Sequence, residues 1–189
     1  MRKTKGQIRK EILDKLNTQN REEILKKSET IKKKLFSLPE FKRAKFVMFY
    51  ASQDREVNTE EMIDEAIKMG KKVALPCCSS LKTIVSKEIT DRHRDLEKGT
   101  YGISEPRKCQ KNIQPDKIDL IVVPGIAFDR KNRRIGRGKG YYDRFLGRLS
   151  RNKCSVGLAF DFQIVENLPK DSHDIPVSKV ITNLTVQTR

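Results

Sequence analysis

The chain has 189 residues, 36% hydrophobic and 35% charged, and 41 Lys+Arg against 25 Asp+Glu give a formal net charge of +16. That length suits one domain, or one domain with a helical extension, and is enough to bury a proper core. No run approaches the ~18 apolar residues of a membrane span, the basic start MRKTKGQIRK leads into no apolar stretch, and the four cysteines show no CxxC spacing. A structural zinc site is therefore not expected, whereas reduced thiols in a cytoplasmic protein are.

Thr4 and Gln7 stand at capping-box spacing ahead of Ile8, Ile12 and Leu16, which recur every fourth residue and predict a short amphipathic helix. Lys5 and Arg9 lie one turn apart near its start, a pattern that suits a solvated face or a functional pair. A second helix is expected over residues 18–37, with Ile24, Ser28, Ile31 and Leu35 on one face and Pro39 ending it. The continuous apolar run KFVMFY at 45–50 predicts a buried parallel strand. The loop after it carries Glu56 and ends in Thr59, an N-cap with Glu60 and Glu61 in the first helical turn. Met62, Ile63, Ala66 and Ile67 give that helix its apolar face, and Gly70 stops it. A second strand at 72–75, closed by Pro76, completes a βαβ unit. Ligands of such sheets bind at the carboxyl ends of strands, where Glu56 sits, so a binding role competes evenly with a solvated loop acid.

Residues 83–89 alternate polar and apolar and predict a third strand, whereas 90–118 read as irregular; a loop of that length often walls a pocket. DLIVV at 119–123 carries the strongest strand pattern, ended by Pro124 and Gly125. After a basic glycine stretch, Tyr141, Tyr142, Phe145, Leu146 and Leu149 predict a helix, SVGLAF at 155–160 another strand, and 180–182 a last short one. His173 and Asp174 lie in the segment between, and His173 suits a structural hydrogen bond better than catalysis.

The charge is not evenly spread. Residues 1–45 carry a net +9 and residues 128–153 a net +8, which leaves −1 for everything else. The second stretch contains RRIGRGKGYYD at 133–143, where Gly136, Gly138 and Gly140 alternate with Arg137 and Lys139. Glycines let backbone N–H groups turn toward a bulky anion, and the cations add charge, so the stretch reads as a phosphate cradle or as a solvated basic loop. It is not a Walker loop, because Lys139 is followed by Gly140, nor a dinucleotide fingerprint, because Tyr141 stands at the third glycine position. Asp143, three residues past Gly140, could face bound phosphates and Mg²⁺ or serve the helix dipole, and Asp174 joins it only if the fold brings it near. Such patches also fit a non-catalytic nucleic-acid binder, although aromatic RNA-binding signatures are missing.

The segment VVPGIAFDRKNRRIGRGKGYYDRFL at 122–146 resembles the signature of the 5-formyltetrahydrofolate cyclo-ligases. The resemblance extends to Lys5 and Arg9, to the strand-then-Glu pattern at 49–59, to Tyr101-Gly-Ile-x-Glu-Pro106, to the strand end at 157–161 and to His173-Asp174. It implies a three-layer α/β/α single domain with a mostly parallel sheet, in which 1–38 form an N-terminal helical region and 45–189 an α/β core. It implies an enzyme that converts 5-formyltetrahydrofolate, with or without a polyglutamate tail, to 5,10-methenyltetrahydrofolate with ATP as co-substrate. The formyl oxygen would attack the γ-phosphate, N10 would add to the activated carbon, and phosphate would leave. No nucleic acid and no membrane enter this reaction, and a monomer or weak homodimer is expected.

Carried over residue by residue, Lys5, Gly6, Gln7, Ile8 and Arg9 would contact ATP, together with Arg134, Ile135, Gly136, Arg137, Gly138, Lys139, Gly140, Tyr141 and Tyr142. Asp143 and Asp174 would hold Mg²⁺. Glu56 would take the pterin edge with Tyr50 beside it, and Arg55 reads as an extra loop residue that leaves Tyr50 and Ala51 as alternatives. Arg9, Arg137, Gly138, Lys139, Gly140 and Tyr141 would reach the folate from the ATP side, with Arg137, Lys139 and Tyr141 closest to the chemistry.

Overall fold

The computed structural model describes residues 3–53, 55–78, 83–99, 102, 104–150 and 153–189. The capping box at Thr4 opens α1 (Lys5–Thr18): Thr4 Oγ1 accepts the Gln7 N–H at 3.2 Å while Gln7 Oε1 accepts that of Thr4 at 2.8 Å. Asn20 opens α2 (Arg21–Ser37), three residues later than expected, because its carboxamide caps the Glu23 N–H. Ile8, Ile12 and Leu16 of α1 and Ile24, Ser28, Ile31 and Leu35 of α2 are buried as their spacing predicts. Pro39 does more than end α2. It takes the first position of α3 (Pro39–Arg43), where a missing N–H costs nothing.

β1 (Phe46–Met48) is followed by α4 (Glu60–Lys68) and β2 (Lys72–Cys78). Thr59 stands at the start of α4 but makes no cap; its hydroxyl donates to the Tyr50 carbonyl at 2.6 Å and ties the loop to the strand. β2 runs on through Pro76, which the sequence reading takes as its end. Pairing with β1 stops at Ala74, so beyond it β2 has a ladder partner, among the described residues, only on its other side, and a proline there removes no bond to β1.

β3 (Ile84–Ile89) runs antiparallel to β2, and the stretch after it is more ordered than expected. It contains α5 (Arg92–Asp95), a hairpin of β4 (Leu96–Lys98) and β5 (Ser104–Pro106), and β6 (Asn112–Ile113) on the edge of β3. These elements are too short for a periodicity signal; β4 and β5 pair with each other, β6 pairs with β3, and the turn into α5 is tied by a buried carboxylate. Asp95 accepts from Thr90 N, Thr90 Oγ1 and Asp91 N and pairs with Arg94.

β7 (Leu120–Val123) leads into a hairpin of β8 (Ala127–Asp129) and β9 (Arg134–Ile135), where the sequence reading has only loop. α6 (Tyr141–Leu146), β10 (Cys154–Leu158), β11 (Ile164–Val165), β12 (Lys179–Ile181) and β13 (Val186–Thr188) complete the chain. α6 stops three residues short of Leu149, and β13 is an unexpected final strand.

The main sheet has the order β13-β12-β10-β7-β1-β2-β3-β6. Its five central strands are parallel, and antiparallel partners extend both sides. Alternate residues of each central strand enter different cores. Val47, Leu120 and Val122 pack with α1, α2 and α4, whereas Met48, Ile121 and Val123 pack with Phe145 and Leu146 of α6. That alternation is the three-layer α/β/α arrangement. Each of these fully buried aliphatic side chains contributes about 1.5–3 kcal/mol relative to leaving it in water. The chain leaves β1 toward β2 on one side, while β7 lies on the other, so the strand order reverses between β1 and β7. In open α/β sheets that switch point is where a crevice opens.

Candidate active site

A cavity of about 1160 Å³ lies where the carboxyl ends of β1 and β7 diverge. After β1 come Tyr50, Ala51, Gln53 and Glu56; after β7 come Pro124, Gly125 and Ile126, whose backbone is held by Gln163 Nε2 donating to the carbonyls of Gly125 and Ile126. The glycine stretch lines the cavity continuously from Arg134 to Arg144, Lys5 and Arg9 come from α1, and Asp171, His173, Asp174 and Ile175 close the rim. The two basic segments of the sequence thus meet at one opening.

Gly138 (φ 94°) and Gly140 (φ 64°) take left-handed backbone conformations that L-residues with side chains rarely adopt. That curls the stretch around the cavity. Arg9 docks on it, donating from Nε to the Gly136 carbonyl at 3.0 Å. α6 is only six residues long, so the charge at this wall comes from side chains and loop amides more than from a helix dipole. Arg134 is the buried cation of the wall. It donates to Asp143 Oδ1 at 3.0 Å and to the Pro124 carbonyl, and its guanidinium lies 5.7 Å from the Tyr142 ring centre. Its Nε is buried without a hydrogen-bond partner among the described residues. The Ile175 N–H also donates to Asp143 Oδ1, at 3.4 Å.

Glu56 faces this wall across the cavity. Its Oε2 accepts the Gln53 N–H at 3.1 Å, and its Oε1 accepts from Arg137 Nη2 at 3.0 Å. Tyr50 is buried, and its hydroxyl donates to the Val57 carbonyl at 3.0 Å. Burial, with the charge of Glu56 and the neighbouring Tyr142 behind it, pushes the phenol well above 10, so it stays protonated. Tyr50 therefore lines the cavity with its hydroxyl already engaged, and the half-buried Ala51 lines the cavity next to it. Arg55 turns away, donating from Nη1 to the Gln19 carbonyl at 2.6 Å.

Lys5 reaches the acidic rim, with Nζ at 2.5 Å from Asp174 Oδ2 and 2.8 Å from Asp171 Oδ2. Burial pulls the ammonium down, but hydrogen bonds and charge from the two carboxylates outweigh it and raise Lys5 above its ordinary value. Burial acts the opposite way on Asp174, and the Asp171 N–H and Lys5 overcome it to hold the carboxyl below its ordinary range. One donor atom from each of Asp171, His173 and Asp174 falls within 4.8 Å of the others. Two hard carboxylates beside a basic glycine loop are a donor set that fits a divalent cation such as Mg²⁺. Asp143 lines the same cavity but is engaged by Arg134 rather than belonging to this group.

Of the expected nucleotide-binding residues, Gly6, Gln7 and Ile8 do not line the cavity. Gln7 is committed to the capping box and Ile8 to the core. Tyr101 and Ile103 of the expected motif lie outside the described residues, but Ser104 and Glu105 from the same motif reach the cavity, as do Pro76 and Ile84. The sequence reading missed Asp171, whose only local signal is its position three residues before Asp174, and Gln53, which holds Glu56 through a backbone N–H.

Comparison with known proteins places these features in context. A model of the 5-formyltetrahydrofolate cyclo-ligase family matches residues 1–183. A probable 5-formyltetrahydrofolate cyclo-ligase of Schizosaccharomyces pombe is 34% identical over 167 residues, covering 81% of this chain and 82% of the relative. The mouse 5-formyltetrahydrofolate cyclo-ligase is 29% identical over 184 residues, covering 92% and 91%. Among solved structures, Aquifex aeolicus 5,10-methenyltetrahydrofolate synthetase superposes with a TM-score of 0.87 at 37% identity, covering 97% of this chain and 92% of that one.

Proposed function

The chain belongs to the 5-formyltetrahydrofolate cyclo-ligase family, and on that premise we propose that it converts 5-formyltetrahydrofolate to 5,10-methenyltetrahydrofolate with ATP, giving ADP and phosphate. What supports the reading at the level of residues is one cavity that collects cations and glycines on one wall and Glu56 on the other. The two halves suit a triphosphate and a ring with paired N–H donors.

In this reading Arg9, Arg137 and Lys139 hold the phosphates of ATP against the loop amides of Gly136, Gly138 and Gly140, with Arg134, Ile135, Tyr141 and Tyr142 behind them. Glu56 accepts the pterin N–H donors beside Tyr50 or Ala51. The formyl oxygen forms a bond to the γ-phosphorus as the bond to the ADP oxygen breaks. N10 then adds to the formyl carbon and gives up its proton, and the carbon–oxygen bond breaks to release phosphate. The enzyme's task is positioning and charge stabilisation, for which Arg137, Lys139 and Tyr141 are the groups nearest the chemistry. Asp143 and Asp174, with Asp171 alongside, are the residues that would hold Mg²⁺, which neutralises phosphate charge when bound. The positive field of the chain then has a triphosphate, and a polyglutamate tail where one is present, as its partner in the cytoplasm, rather than nucleic acid. The N-terminal helices (residues 1–38) and the α/β core (residues 45–189) act as one unit, since both supply cavity residues.

The test is growth of methenyl-folate absorbance when the protein, Mg-ATP and 5-formyltetrahydrofolate are mixed. Omitting ATP should abolish it. A flat trace in the complete mixture, with salt-sensitive RNA binding in its place, would overturn the assignment.

A further inference from the structure

The turn of the β8–β9 hairpin contains a buried polar knot outside the cavity. Asp129 is fully buried: its Oδ1 accepts the N–H groups of Lys131 (2.9 Å) and Arg133 (3.0 Å). Its Oδ2 accepts Arg133 Nε (2.6 Å) and the Leu168 N–H (3.1 Å). Asn132, also fully buried, has φ 58° and is the single non-glycine residue with positive φ among those described. Its carbonyl accepts the Val177 N–H at 3.0 Å, its Nδ2 donates to the Ser178 carbonyl at 3.0 Å, and its Oδ1 accepts from Gln187 Nε2. Its own N–H donates to the Asp129 carbonyl at 2.9 Å, which Gln187 Nε2 also reaches, at 2.7 Å.

Two of these bonds matter together. Leu168 and Val177 bracket the segment that carries Asp171, His173 and Asp174, and both ends are fastened to the turn that leads directly into Arg134 and the glycine stretch. A buried carboxylate with four donors, and a residue held in a left-handed conformation by four bonds, are expensive to assemble unless they specify a geometry. We infer that Asp129 and Asn132 are positioning residues that clamp the acidic rim to the phosphate loop and so fix the distance between Asp174 and the Arg134–Asp143 pair. This deepens the proposed function and rests on it: the rim and the loop are the two sides between which Mg-ATP would lie. Lys5 of α1 also holds the rim, through Asp171 and Asp174.

Asp129→Asn is the direct probe, because it keeps the side chain's shape but puts an N–H₂ group where the Leu168 and Arg133 donors need an acceptor. The full-length variant should show an ATP KM raised about 10-fold, since misplacement by an ångström costs up to ~10²-fold. Its KM for 5-formyltetrahydrofolate should stay within twofold. Calorimetric titration with Mg-ATP should show the same loss. Asn132→Gly, whose backbone is at ease at positive φ, should move ATP affinity the same way by a smaller factor in a folded protein. Equal rises in both KM values, or unchanged ATP affinity in a folded variant with a lowered Tm, would reduce the knot to a stability device and overturn the inference. A wild-type chain that makes no ATP-dependent methenyl product would instead overturn the function on which it rests.

Discussion

Two arginine–carboxylate pairs stand three residues apart on the same loop and are held in opposite ways. In the Arg134–Asp143 pair the side chains are 4% and 16% exposed; in the Arg137–Glu56 pair they are 56% and 21% exposed. Both have the same 3.0 Å separation. Distance alone therefore does not distinguish a framework contact from an exchangeable one; solvent does. A buried pair cannot lose a partner without stranding a charge, whereas an exposed pair exchanges one partner for water or ligand at little cost. The inner pair fixes the loop on its strand. The outer pair spans the cavity, and under the proposed function it opens as an anionic ligand competes for Arg137 and an N–H-bearing one for Glu56.

The inner pair is the place to break first. Arg134→Ala should cost about 3 kcal/mol of stability in urea unfolding, because Asp143 keeps its charge in a half-closed site without its partner. A loss below ~1 kcal/mol would show that Asp143 is served by Ile175 and solvent, and the distinction between the two pairs would fall. Next in size is Lys139→Ala on the exposed side of the loop. Here kcat/KM for ATP should fall about 30-fold, in line with the loss of one charged contact in a polar site, with unfolding within ~0.5 kcal/mol of wild type. Unchanged kinetics would remove Lys139 from the site.

Glu56→Gln tests the outer pair. It keeps the shape and one acceptor, loses the charge, and should raise the folate KM about 10-fold, while the ATP KM moves little and stability stays within ~0.5 kcal/mol. Equal losses for both substrates would mean that the Arg137–Glu56 contact positions the loop instead of waiting for a ligand.

The same contrast explains what the sequence could reveal. Periodicity located α1, α2, α4 and the central strands because Ile8, Ile12, Leu16, Val47 and Val122 answer to a core, and cores impose regular spacing. The glycine alternation with Arg137 and Lys139 marked the loop because its backbone conformation demands glycine at Gly138 and Gly140. The β8–β9 hairpin, β4, β5 and β6 stayed invisible: strands of two or three residues have no period, and they are held by pairing with neighbouring strands and, in the β8–β9 turn, by the Asp129 carboxylate bonded to backbone N–H groups. Gln7 and Ile8 sit inside a matching motif yet serve the cap and the core, so adjacency in a motif does not guarantee a place at the cavity. Asp171 shows the converse, since only the fold brings it to Lys5.

The smallest expected effect concerns the rim itself, where Lys5 and Asp174 form a pair of intermediate exposure. Asp174 is held below its ordinary value of 3.8 in the folded chain. The folded state therefore binds that proton less readily than the unfolded one, and its contribution is complete above about pH 4 and lost as pH falls through the folded-state value. Lys5 is raised above 10.5, so its share is complete below that pH and is lost only as pH rises beyond it. Neutral pH thus retains both halves of the pair. Lys5→Met should lower stability at pH 7 by no more than about 1 kcal/mol, as partly exposed pairs do. The gap between variant and wild type should narrow steadily in urea titrations below pH 4, as Asp174 takes up its proton. A gap that persisted unchanged to pH 2 would mean that Lys5 holds the rim by packing its stem rather than by its charge, placing this pair with the framework contacts and not with the exchangeable ones.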